Sequence, residues 1–188
     1  MGVMESLKTR RTYRRFESKP VPEDVVADIL EAARIANCGA NRQALKYIVV
    51  SDFEEVKKVN ALVHWAGYLS KEVGTPKENE IPTLFVGVLQ DTLIPGNVDV
   101  DAGIAMANMT TAAWAKGVGS CMMGAIERNE LAVLLKLPEN LKIHTMVAFG
   151  YPSHKSNIVP MKDGDVKYYV DENKDYYVPK RDLYDILI

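Results

Sequence analysis

Residues 7–16 read LKTRRTYRRF and contain five basic side chains, with Thr12 and Tyr13 between them and Phe16 at the end. Arginine presents planar, bidentate donors that suit a phosphate group, and a hydroxyl together with backbone N–H groups can complete such a site. The chemistry predicted for this basic segment is therefore binding of a phosphate or a similar anion. Short charged runs are often only solvated turns, so the segment alone leaves that alternative open.

The composition limits what else the chain can do. Its 188 residues are 47% hydrophobic and 26% charged, which is typical of one soluble globular domain, here expected over residues 1–188. A net charge of −2 argues against binding of nucleic acid. Cys38 and Cys121 are isolated, the three histidines lack metal-ligand spacing, and no apolar run reaches the ~20 residues that span a bilayer. We therefore expect no metal site, no membrane segment and a cytoplasmic location.

Hydrophobic periodicity predicts alternating helices and strands. Helices are expected over residues 2–10, 25–36, 53–65, 99–116, 126–137 and 183–188, and strands over residues 47–50, 82–88, 117–124 and 143–150. Residues 67–79 hold two glycines, a proline and four charges and are expected to form a mobile surface segment. The order of elements predicts an α/β or α+β three-layer fold. Gly117-Val118-Gly119 precedes a strand instead of opening a helix, which excludes a Rossmann fold.

The helix predicted over residues 99–116 carries small and apolar residues on more than one face. Ala102, Ala105, Met106 and Met109 line one side, and Gly103 adds a further small position. Small residues let a second helix approach closely. We expect this helix to lie in the core and also in a subunit interface.

Four motifs, in this order, resemble the FMN-dependent nitroreductase family. They are Arg10-Arg11-Thr12-Tyr13-Arg14, Asn37-Cys38-Gly39-Ala40-Asn41-Arg42-Gln43, Asp101-Ala102-Gly103 leading into Gly117-Val118-Gly119-Ser120-Cys121, and Gly150-Tyr151-Pro152 with the late Pro179-Lys180-Arg181. The resemblance implies an α+β fold with a mostly antiparallel sheet covered by helices, and an intertwined homodimer with FMN at its interface. It also implies NADH or NADPH as electron donor and ping-pong, two-electron reduction of a nitroaromatic, a quinone or a related small-molecule acceptor.

The same resemblance assigns residues to the FMN site. Phosphate would be held by Arg10, Arg11 and Thr12 and closed off by Lys180 and Arg181, while Arg14 would reach the ribityl chain and the pyrimidine edge. The flavin ring would meet a loop of the partner subunit and one strand, through Asn37, Cys38, Gly39, Asn41 and Gln43 and through Ser120, Cys121, Met122, Met123 and Gly124. No catalytic side chain is expected, because flavin N5 carries the chemistry and Arg14 has at most an electrostatic role.

Two alternatives stay open beside the reductase. A protein of this family could instead catalyse dehalogenation, dehydrogenation or modification of the flavin, or could bind flavin without turnover as a sensor or store. Asn37-Cys38 stands where the family usually has Pro-Ser, and Ala44-Leu45 where it has Pro-Trp, both close to the substrate side. Cys121 is expected to be a packed residue and not a redox thiol. The pairs Tyr168-Tyr169 and Tyr176-Tyr177 are expected to form strand or arm contacts with a partner chain.

Overall fold

The computed structural model describes residues 2–188. Its helices are α1 (Val3–Thr9), α2 (Glu23–Arg34), α3 (Phe53–Asn60), α4 (Lys71–Gly74), α5 (Asp99–Ala115) and α6 (Arg128–Leu134), with 3-10 turns at Gly39–Asn41, Glu78–Glu80 and Leu183–Ile186. A four-stranded antiparallel sheet has the order β1-β2-β4-β3 and contains β1 (Leu45–Val50), β2 (Leu84–Asp91), β3 (Gly119–Met123) and β4 (Leu141–Gly150). A smaller sheet has the order β5-β7-β6 and contains β5 (Ser156–Pro160), β6 (Tyr169–Val170) and β7 (Tyr176–Lys180).

Strand β2 is buried on both faces, and its side chains alternate between two cores. Phe85 and Leu89 pack in one core with residues of α3 and α6, whereas Val86 and Val88 pack in the other with residues of α2 and α5. Successive side chains of a strand point to opposite faces, so the four-stranded sheet is covered by helices on both sides. The predicted α+β fold, with a mostly antiparallel central sheet covered by helices, is confirmed.

Helix α5 packs on one side and is uncovered on the other. Ala102 and Met109 are fully buried in the core that α5 shares with α2 and the sheet. On the opposite side Val100 is 73% exposed, and Gly103 and Ala107 are exposed as well. A Cβ added at Gly103 would meet no atom of residues 2–188 within 4 Å. The predicted core position is confirmed, and an apolar surface of small residues is left on the chain.

Two helices are shorter than predicted. The expectation of helices over residues 53–65 and 126–137 is corrected, because α3 ends before Val63 and α6 begins after Ile126. These two residues form an isolated antiparallel bridge, which keeps both stretches of backbone extended. Such a pairing joins residues far apart in the sequence, and local periodicity does not contain it.

Residues 67–79 are more ordered than predicted. They include α4, whose last residue Gly74 is buried. The Arg15 guanidinium donates to the carbonyl of Val73, and Arg15 Nε lies 3.3 Å from Glu80 Oε2. One arginine of the basic segment therefore attaches this stretch to the rest of the chain. The prediction of a mobile surface segment over residues 67–79 is corrected accordingly.

The second sheet is a feature that the sequence did not predict. Strand β7 pairs in parallel with β5 and in antiparallel with β6. These strands are short and only partly buried, so they carry little of the alternation that identifies strands. The helix expected over residues 183–188 is a 3-10 turn at Leu183–Ile186. Among residues 2–188, no helix is long and apolar enough to cross a bilayer.

Gly119 allows the basic segment to pack closely on β3. An added Cβ would lie 2.6 Å from Tyr13 Cδ2 and 2.7 Å from Pro152 Cγ. We predict that Gly119→Ala lowers the free energy of unfolding by about 1–3 kcal/mol, because overpacking forces these neighbours to move. Urea denaturation measures the loss. Gly67→Ala is the matched control, since a Cβ added at Gly67 would have no atom of residues 2–188 within 4 Å; equal losses in both variants would contradict the close packing.

Candidate functional site

The basic segment docks on the open edge of β3. Thr12 and Ser120 form an isolated parallel bridge, in which the backbone N–H of Tyr13 donates to the carbonyl of Ser120 at 2.9 Å. Tyr13 is buried, and its ring stacks on Trp114 with 5.2 Å between the ring centroids. These contacts hold the backbone that carries the arginines, so their side chains start from fixed positions.

Four cations from the two ends of the chain meet at a cavity of about 180 Å³, which we call the anion cavity. Its lining consists of Arg10, Arg11, Thr12, Arg14, Tyr168, Val178 and Lys180. Within residues 2–188, no acidic side chain belongs to this lining. The cavity thus combines clustered positive charge with a hydroxyl, which is the donor set that a phosphate group requires.

Burial affects two cationic side chains of the anion cavity. Arg10 Nε is buried and has no hydrogen-bond partner in the described part of the chain. Burial lowers the pKa of the Arg11 guanidinium, Tyr13 partly offsets this, and the charge of Arg10 adds to the lowering. Both observations mean that positive charge is held here at a free-energy cost, which an anion in the cavity relieves.

Arg14 is held at its backbone and at its side chain. Its backbone N–H donates to Nε2 of His154 at 3.0 Å. Its guanidinium carbon lies 4.4 Å from the ring centroid of Tyr168 and 5.0 Å from that of Tyr176. Cation–π attraction at these distances orients a guanidinium without neutralising its charge. Arg14 is therefore a preorganised cation at the wall of the anion cavity.

The backbone of β3 is exposed along the open edge of the strand. The Ser120 carbonyl faces the basic segment, so the two-residue alternation of a strand points the N–H and C=O of Met122 toward the same open edge. Met122 is 40% exposed and Gly124 is exposed, whereas the side chains of Cys121 and Met123 are buried. The backbone of this stretch is therefore the part that is available to a ligand.

The thiol of Cys121 belongs to the core. Burial raises the pKa of Cys121 to about 11, although the charge of Arg14 favours the thiolate. A thiol with this pKa is protonated near neutral pH and is a poor nucleophile. Cys121 packs as predicted.

The loop predicted to meet the flavin lies at a second cavity. Asn37, Cys38 and Gln43 belong to the lining of this loop cavity, which has a volume of about 650 Å³. The backbone N–H of Gly39 donates to Oδ1 of the buried Asp101 at 2.9 Å, which ties the loop to the first turn of α5. The motif around Asp101 and the loop motif are thus joined by a hydrogen bond. In the described part of the chain, the anion cavity is lined by none of the loop residues that were predicted to meet the flavin.

The backbone of this loop adopts an unusual conformation. Ala40 and Asn41 both have φ of 51°, and Gln43 has φ of 53°. Side chains other than glycine rarely adopt this left-handed region, and asparagine is among those that tolerate it best. Asn41 is exposed, and its Oδ1 lies 3.9 Å from the Cys38 thiol. Backbone strain of this kind is concentrated at functional sites.

Comparison with known proteins identifies the family. The model of the nitroreductase family matches residues 7–75 and 95–151, which is more than half of the chain. The chain belongs to the nitroreductase family. The family inferred from the four motifs is therefore confirmed, and the matched residues include the basic segment, the loop and β3.

Two relatives of this nitroreductase-family chain are similar in sequence, and a solved structure is similar in fold. The NAD(P)H FMN reductase of Bacillus subtilis is 28% identical over 170 residues, covering 82% of this chain and 67% of the relative. The NADPH-flavin oxidoreductase of Vibrio harveyi is 25% identical over 172 residues, covering 85% and 69%. A crystal structure of a nitroreductase family protein from Clostridium difficile 630 superposes with a TM-score of 0.69 at 22% identity, covering 86% of this chain and 88% of the other.

Two residue assignments of this nitroreductase-family chain depend on strand geometry. Lys180 ends β7 and lines the anion cavity together with Val178, whereas Arg181 follows the strand, is exposed and does not line the cavity. Residues 178 and 180 share a face because the strand period is two.

The sequence did not predict the roles of Tyr168, which lines the anion cavity, and His154, which contacts Arg14. Tyrosine pairs were visible in the sequence but were expected to contact a partner chain, and no local signal identified His154.

Proposed function

We propose that this chain is an FMN-dependent oxidoreductase that takes electrons from NADH or NADPH and passes two of them to a nitroaromatic, a quinone or a related small-molecule acceptor. The observation that carries the proposal is the anion cavity, in which four cations and a hydroxyl converge with no acidic lining residue from the described chain. The names of the relatives from Bacillus subtilis and Vibrio harveyi, an FMN reductase and a flavin oxidoreductase, support it.

The residues present fit FMN at both ends of the cofactor. Arg10, Arg11 and Lys180 offer charge-assisted donors to its phosphate, and Thr12 adds a hydroxyl. The open edge of β3 adds backbone donors for the polar rim of the ring. When bound, FMN supplies hydride transfer at N5, so the protein needs no nucleophile or paired acid and base. Arg14 is the cation placed to stabilise negative charge that develops beside it.

Arg10 provides a direct test of the phosphate assignment. We predict that Arg10→Ala weakens FMN binding by ~1.5–3 kcal/mol, because a charge-assisted hydrogen bond is lost. Titration of the flavin-free protein with FMN, followed by flavin fluorescence, measures the change. Lys116→Ala is the matched control, because Lys116 is exposed and pairs with Asp28 at 3.0 Å, outside both the anion cavity and the loop cavity. An Arg10→Ala protein with the affinity of the Lys116→Ala protein would refute the placement.

Reduction by a nicotinamide nucleotide tests the reaction itself. Anaerobic mixing of the FMN-loaded protein with NADH or NADPH is expected to remove the flavin absorbance rapidly with at least one of the two. Addition of a nitroaromatic compound or a quinone is expected to restore it. A flavin absorbance that both nucleotides leave unchanged would contradict the reductase function and favour a flavin protein without turnover.

We further propose a homodimer in which each FMN site combines the anion cavity of one protomer with the loop cavity of its partner. Within one chain, the predicted phosphate residues and the predicted loop residues line separate cavities. The uncovered face of α5, with Val100 and Gly103, supplies an apolar surface for a second copy. Exposed apolar side chains at the C-terminus, among them Leu183 and Leu187, supply a second such surface.

Gly103 separates folding from dimerisation. We predict that Gly103→Glu leaves the chain folded, because the position has room for a side chain, but makes it monomeric at micromolar concentration, because a partner helix then cannot approach. Light scattering after size exclusion measures the mass. Val133→Glu is the control, since Val133 is 79% exposed on α6, away from α5, and the variant should stay dimeric. A wild-type monomer with full FMN affinity would refute the shared site.

A further inference from the structure

His154 is a histidine whose protonation state is set by two backbone groups. It lies between β4 and β5, where Nδ1 is 2.8 Å from the carbonyl oxygen of Lys155. Its Nε2 is 3.0 Å from the backbone nitrogen of Arg14. A carbonyl only accepts and a backbone N–H only donates, so Nδ1 carries the proton and Nε2 is a bare acceptor. The two contacts together require the neutral imidazole.

The surroundings of His154 disfavour its charged form. The ring lies between the rings of Tyr13 and Tyr176, with centroid distances of 5.4 and 4.9 Å. Burial lowers the pKa of His154, the hydrogen bond to the Lys155 carbonyl raises it, and among the charges Arg15 and Arg14 lower it while Asp175 raises it. The charged and titratable groups that face the ring are Tyr13, Arg14, Arg15, Asp175 and Tyr176.

We propose that His154 is a positioning residue for cofactor binding, which holds the backbone of Arg14 through its unprotonated Nε2 and releases it on protonation. The inference rests on the proposed FMN site, because Arg14 lines the anion cavity. The bond from Arg14 N–H connects the basic segment to the chain after β4, from which the second sheet follows. Backbone hydrogen bonds from Ser153 N–H to the Arg15 carbonyl and from Glu17 N–H to the Tyr151 carbonyl also join these two parts of the chain. Loss of the bond to His154 would therefore loosen the wall at Arg14 while the rest of the segment stays attached.

The direction of the pH effect follows from the two protonation states. The neutral ring accepts from Arg14 N–H, whereas the imidazolium presents a second donor to the same N–H and adds a third positive charge beside Arg14 and Arg15. The binding-competent arrangement is therefore complete above the ordinary histidine pKa of about 6.5 and is lost as the pH falls through the lowered value. Four cationic side chains already line the anion cavity, so one further positive charge at His154 would add little to the attraction of a phosphate group.

The pH dependence of FMN affinity tests the proposal. The phosphate of FMN itself titrates near pH 6, so a control must share that effect. His154→Gln provides it, because the glutamine carbonyl can accept from Arg14 N–H at every pH. Between pH 7.5 and pH 5, we expect the dissociation constant of the wild type to rise severalfold more than that of His154→Gln. The difference approaches about tenfold, which corresponds to the loss of one hydrogen bond, as the pH falls below the lowered pKa of His154. Superimposable profiles of the two proteins would overturn the proposal.

His64→Gln is the second control. His64 is exposed and pairs with Glu127 at 2.6 Å, outside the anion cavity. Its profile should follow that of the wild type. A His64→Gln protein that lost the acid sensitivity would assign the effect to another histidine and would also overturn the proposal.

A measurement on the wild type alone covers the case in which His154→Gln does not fold. If protonation of His154 weakens FMN binding tenfold, FMN must lower the pKa of His154 by about one unit. Proton NMR titration of the imidazole with and without FMN measures that shift, and a pKa that FMN raises or leaves unchanged would refute the role. A wild type that does not bind FMN at pH 7.5 would refute the proposed function instead, so the two failures are distinct.

Discussion

The backbone hydrogen bond from Tyr13 N–H to the Ser120 carbonyl joins the basic segment to strand β3. The position of the candidate site depends on this contact. Among residues 2–188, strand β3 pairs with one neighbouring strand, and the basic segment occupies part of its other edge. An uncovered edge is normally a liability because its N–H and C=O groups seek partners. Here the covered part of the edge orders a cationic peptide, and the uncovered part near Met122 leaves backbone donors free. A free turn of the same composition would lose conformational entropy each time it bound an anion.

Alternation along the extended basic segment separates two uses of arginine. Thr12 and Arg14 line the anion cavity, while Tyr13 and Arg15 are buried on the other side. Arg15 is consumed by structural contacts to the Val73 carbonyl and to a carboxylate. The arginines of the basic segment thus divide into three that line the anion cavity and one, Arg15, that forms a structural ion pair. This explains how a chain of net charge −2 builds a strongly positive cavity.

The sequence predicts the layers of the fold better than the contacts between distant residues that form the candidate site. Strong periodicity identified the buried strands and the central helix, and motif order identified the family. The contact from His154 to Arg14 spans 140 positions, and no local pattern contains it. Lys180 lines the cavity and Arg181 does not because of the direction in which each side chain leaves β7. This strand is short and half exposed, so its sequence shows no alternation of apolar and polar residues from which that direction could be predicted. The separation of the loop cavity from the anion cavity likewise arises from tertiary packing.

The C-terminal strands close the site, and this couples their stability to the occupant of the cavity. A sheet of three short strands is marginal by itself, so its packing on the basic segment is a large part of what holds it. That packing brings Tyr168 and Lys180 to the cations of the N-terminus, where repulsion opposes it. An anion in the cavity removes the repulsion and favours the closed arrangement by mass action. Anion binding in the cavity would therefore favour the packing of the second sheet on the basic segment, and His154 contacts the basic segment from the residues between β4 and β5.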